Sequence, residues 1–76
     1  MDRHAAIADG LAEVLERPAS DFAADRTLNA AGVDSIALVV LADVIEADHP
    51  GWTIPNDVLR FAETIADLAE GMAPVQ

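Results

Sequence analysis

The run from Ser35 to Asp48 predicts a helix that is apolar on two sides, and this limits how the chain can fold. At about 100° per residue, Leu38, Leu41, Ala42 and Ile45 share one face. Ile36, Val40, Val44 and Ala47 share another, roughly opposite. Asp43 and Glu46 fill a narrow strip between them, with Asp48 on the other flank. A helix apolar nearly all round is normally buried all round. A chain of 76 residues can hardly surround any of its helices. Part of the second face must therefore be bare, or covered by a loop alone. For Ile36 and Val40 exposure is expected. For Val44 and Ala47 exposure and cover by the loop through Phe22 and Leu28 both stay open.

Three further helices flank this one. The first runs from about Asp2 to Glu16, where Ile7, Leu11, Val14 and Leu15 keep the spacing of a single buried stripe. Asp9, Glu13 and Glu16 lie on its far side, and Pro18 follows its end. Gly10 costs this helix about 1 kcal/mol relative to alanine. Close approach of another element there would explain it. A long connection, Arg17 to Asp34, has Phe22 and Leu28 as its anchors and Gly32 as its best candidate for positive φ. His49-Pro50-Gly51 closes the second helix. A short third helix runs from about Asn56, its expected cap, to Phe61, after an extended Thr53-Ile54-Pro55. The fourth starts at Thr64, with Asp67 three residues on in a variant capping box. Ile65, Leu68, Ala69 and Met72 line its inner stripe, and Gly71 and Pro74 stop it. Trp52 and Phe61 are read as packing residues, and Val75 and Gln76 as a frayed end.

The composition excludes several functions. Without cysteine the chain has no disulfide and no thiolate. Fourteen acids against four arginines give a formal charge of −10, which repels nucleic acid and anionic membrane and attracts basic partners. The longest apolar run, Ile36 to Ala42, is too short to span a bilayer, and the N-terminus does not read as a signal peptide. A soluble, cytoplasmic monomer is the expectation. His4 and His49 lack a ligand cluster, so no metal is expected. Neither a nucleophile–base constellation nor a glycine-rich phosphate loop is present, so no enzyme is expected.

Ser35 carries the functional signal. It follows the turn formers of Gly32-Val33-Asp34 and opens the second helix. A hydroxyl there sits at the positive end of the macrodipole, beside N–H groups without intrahelical acceptors. An anion bound through that oxygen would be well placed. The bland alternative is that Ser35, or Asp34, simply caps the helix.

The pattern resembles the acyl carrier protein family. The resemblance rests on Gly32-Val33-Asp34-Ser35-Ile36, on Leu41 and Ile45-Glu46, on Ile54-Pro55, and on Val58-Leu59-Arg60-Phe61 followed by Thr64-Ile65-Ala66-Asp67-Leu68-Ala69. It covers the chain from about Ile7 to Met72. It implies an all-α four-helix bundle with a long first loop and a short third helix, here a single carrier domain over the whole chain. It implies 4′-phosphopantetheine joined through a phosphodiester to Ser35, with Asp34 beside the arm. Acyl cargo would travel as a thioester. The implied partners are a phosphopantetheinyl transferase and acyl-loading, condensing and tailoring enzymes. Ile36, Val39, Val40 and Asp43 would form the docking surface. The second helix bears fewer acids than fatty-acid-type carriers do, and Val58 to Ala69 looks more like carriers of polyketide or nonribosomal peptide systems. A free-standing carrier of a polyketide or related pathway is therefore expected. The alternatives are an aminoacyl or peptidyl carrier, or an unmodified acidic module that docks through its second helix.

Overall fold

The computed structural model describes residues Met1 to Val75, and Gln76, expected to fray, lies outside them. Among the described residues there are four α-helices: α1 (Arg3–Leu15), α2 (Ser35–Asp48), α3 (Asn56–Phe61) and α4 (Ile65–Gly71). The architecture is the all-α bundle anticipated above. It has one addition, a two-stranded antiparallel ribbon of β1 (Trp52–Thr53) and β2 (Ala73–Pro74).

α1 is the element on which the others are assembled. It packs against both α2 and α4, while α3 bridges α2 and α4 on the other side. Ile7 and Leu11 of α1 are fully buried with Leu41 and Ile45 of α2, and with Ile65 and Leu68 of α4. Burying side chains of this size stabilises by about 1.5–3 kcal/mol each. The Asp2 carboxylate caps α1 by accepting from the Ala5 N–H at 3.2 Å. Glu16 ends the helix at φ 54°, in the left-handed region. Gly10 answers the question raised by its sequence position. A Cβ there would lie 2.7 Å from Leu41 Cδ1, so a larger residue would require the end of the Leu41 side chain to shift.

The long connection is packed rather than loose. Phe22 and Leu28 are buried in the core as anticipated, and Gly32 has φ 76°. A short 3-10 turn, Ala19–Asp21, begins it. Arg17 donates to Asp21 and to the Ala31 carbonyl, and its guanidinium lies 5.1 Å from the Phe22 ring centroid. Arg26 donates to the carbonyls of Asp21 and Ala30. Backbone bonds then tie the loop to the start of α4. Leu28 N–H donates to Glu63 O, Ile65 N–H to Arg26 O and Ala66 N–H to Ala24 O.

Thr64 and Asp67 form the full capping box. The N–H groups of Glu63 and Thr64 donate to the Asp67 carboxylate, which holds its pKa below the usual carboxylate range.

Three expectations are corrected. Asn56 does not cap α3. Pro55 occupies the cap position, makes no side-chain cap bond, and hands over directly to a helix in which Asn56 is the first residue. Val75 is not frayed, because its N–H donates to Gly51 O at 2.7 Å and continues the β1–β2 pairing. Phe61 is not core but 71% exposed. Val58 and Leu59 are the α3 side chains packed on the core, and Phe61 lies about 200° round the helix from Leu59. In six residues α3 has one inward face, and Phe61 falls outside it.

α3 is held to α4 by the fit of Val58 on Gly71. A Cβ at Gly71 would lie 2.7 Å from Val58 Cγ2 and meet Cγ1 as well. Val58 is β-branched and has little rotamer freedom with which to yield. Overpacking of this kind costs about 1–3 kcal/mol, against up to about 1 kcal/mol gained in helix propensity. Gly71→Ala is therefore expected to destabilise the fold, read as a lower urea midpoint at unchanged m-value.

Candidate functional site

The junction of the long loop with α2 is built by Asp34. Its backbone is extended (φ −97°), and its carboxylate accepts from the Ala37 N–H at 2.8 Å. Its carbonyl accepts from the Leu38 N–H at 3.0 Å. The cap is thus Asp34, not Ser35, so the bland reading of Ser35 as a cap falls away. Ser35 is the first helical residue and is exposed, with its hydroxyl outside the cap. A carboxylate this close to the N-terminus also interacts favourably with the macrodipole.

Ser35 opens onto a groove of about 560 Å³ between α2 and α3, lined by Leu38, Val39, Asn56, Leu59 and Arg60. A second hollow of about 380 Å³ continues along the same two helices past Asp43 and Glu46 to Thr53 and Ile54. Val39, Asn56 and Leu59 line both. The Thr53 hydroxyl donates to Glu46 at 3.0 Å and closes the far end.

The outer side of α2 is bare where exposure was expected. Ile36 is 74% exposed, Val39 61% and Val40 42%. Asp43 is exposed beside them. The open question at Val44 and Ala47 divides. Ala47 is exposed, whereas Val44 is half-buried, with its Cγ1 3.9 Å from the Cβ position of Gly10. α1 reaches Val44 at that point.

A family model for the phosphopantetheine attachment site matches residues 5–71. The chain belongs to that family. No curated protein and no solved structure matches it. The family's members are carriers of covalently attached 4′-phosphopantetheine and do no catalysis themselves. They are served by phosphopantetheinyl transferases and by biosynthetic enzymes. Such a carrier needs an accessible hydroxyl, room for the arm and tolerance of the phosphodiester charge. The Ser35 junction offers an exposed hydroxyl, an adjoining groove, and helix N–H groups at Ser35 and Ile36 that precede the first intrahelical bonds. The residues present therefore fit the group. No group of metal-ligating side chains occurs among the described residues, and none of the described helices is long and apolar enough to cross a membrane.

The groove-lining residues Asn56, Leu59 and Arg60 were not singled out as site residues from the sequence. In the sequence they figured only as an expected cap, Asn56, and as part of the Val58-Leu59-Arg60-Phe61 segment of the family resemblance. Nothing in that says which helix α3 faces.

If Asp34 is the cap that positions Ser35, its loss must loosen the start of α2. Asp34→Ala is expected to cost about 0.5–2 kcal/mol. Urea unfolding of the unmodified chain measures it, with retarded amide exchange lost first in the opening turn of α2.

Proposed function

We propose that this carrier bears its arm on Ser35 and transports acyl intermediates in a polyketide or related specialised pathway. The observation that carries the site is the division of labour at the junction. Asp34 does the capping, so the Ser35 hydroxyl is left over, exposed, at the mouth of a groove. When attached, the group supplies a thiol that holds acyl cargo as a thioester. The chain supplies everything else. The capped turn holds Ser35 Oγ at a fixed point. The α2 N-terminus favours a negative charge there. The tether raises the local concentration of cargo at each partner.

The apolar character of α2 supports the pathway assignment. Ile36, Val39 and Val40 form an exposed apolar strip, with Asp43 the acid beside it. Leaving one such side chain in water forgoes about 1.5–3 kcal/mol. That is a large fraction of the stability a small domain has. The partners proposed are acyl-loading, condensing and tailoring enzymes that meet this strip mainly through apolar contact, with the monomeric chain's acidity steering encounter.

Two experiments test this reading. Intact mass after incubation with coenzyme A and a promiscuous phosphopantetheinyl transferase is expected to rise by one phosphopantetheinyl group. Ser35→Ala should stay folded and gain nothing. A wild type that gains no mass across several transferases would leave an unmodified docking module as the better description. For the docking strip, Val40→Glu should slow turnover by a cognate partner enzyme while the melting temperature stays nearly constant. A large fall in melting temperature would show that Val40 supports the core.

A further inference from the structure

Among the described residues Arg60 is the arginine that forms neither an ion pair nor a hydrogen bond. Arg3 donates to the carbonyls of Glu70 and Met72. Arg17 and Arg26 hold the long loop, as described above. Among the described residues the only ion pair is Arg17–Asp21. Arg60 instead lies over the exposed ring of Phe61, 5.3 Å from its centroid. Ring and guanidinium attract one another there through the ring quadrupole.

The surroundings of Arg60 make this unusual. The protein carries a formal charge of −10. Yet among the described residues the groove that Arg60 lines together with Ser35 contains no carboxylate. Asp43 and Glu46 line only the adjoining hollow, and Asp34 has its carboxylate turned to the Ala37 N–H. A cation in the last turn of α3 is favoured by that helix's dipole. The dipole accounts for its place along α3 but not for its sharing a groove with Ser35.

We infer that Arg60 is a positioning residue for the prosthetic arm. Its guanidinium pairs with the phosphodiester on Ser35 and holds the root of the arm along the α2–α3 groove. This rests on Ser35 being the attachment point. The chemistry is that of a delocalised, permanently charged donor fork meeting phosphate oxygens. Phe61 supports it from beneath. The pair is solvent-exposed, so salt screens it, and its signature is local rather than a large change in stability.

The test uses wild type, Arg60→Gln and Arg60→Lys, each converted with coenzyme A and a transferase and checked by intact mass. The readouts are the 31P resonance of the phosphodiester and the side-chain Nε–H resonance of Arg60 before and after loading. In wild type, loading is expected to shift the Arg60 Nε–H. The 31P resonance should differ from that of Arg60→Gln at low salt, and the difference should collapse at high salt. Arg60→Lys should recover part of the difference. Equal apo melting temperatures across the three proteins keep a folding defect out of the comparison. Full mass gain with 31P resonances identical in wild type and Arg60→Gln would overturn the role of Arg60 and leave the attachment intact. No mass gain in wild type would overturn the attachment and this role with it.

Discussion

The close crossing of α1 and α2 at Gly10 underlies the rest of the structure. With no Cβ at that point, Leu41 seats against the α1 backbone, and α2 commits one face to α1. α1 is then shared, because its other flank carries α4. A helix that serves two partners cannot wrap either one. The outer side of α2 therefore has no protein left to cover it, and Ile36, Val39 and Val40 remain in water. The bare strip follows from a small chain that places its most apolar helix beside a shared one.

That arrangement also sets the position of the hydroxyl. The long loop must travel from the end of α1 to the start of α2. It is held on the way by two arginines, by Phe22 and Leu28, and by backbone bonds to α4. A loop fastened at so many points delivers Asp34 in one conformation, and the cap bond to Ala37 completes it. Ser35 is consequently presented at a packed, capped junction.

α3 is the lightly held part. None of its residues is buried, and it is fastened chiefly by Val58 on Gly71 and by Leu59 beside the groove. It nevertheless forms one wall of the space beside Ser35. An element with few buried contacts opens more readily than the core does.

Much of this was legible in the residues. The apolar spacing of Ile7 and Leu11, and of Ile65, Leu68 and Met72, specified their buried faces, because helical periodicity is a local property. Asp34-Ser35 and Thr64 with Asp67 announced their helix starts for the same reason: a cap is satisfied within four residues of itself. The two-sided character of α2 announced that Ile36 and Val40 would be exposed and left Val44 and Ala47 open. The sequence by itself therefore determined the helices, the capped starts of α2 and α4 and the position of Ser35. Which element reaches Val44, where Phe61 points, the pairing of Trp52 with Pro74 and the placing of Arg60 and Ser35 on one groove were decided by tertiary structure alone. Each depends on segments far apart in the chain, and a six-residue helix or a two-residue strand is too short to record its neighbours in its own pattern.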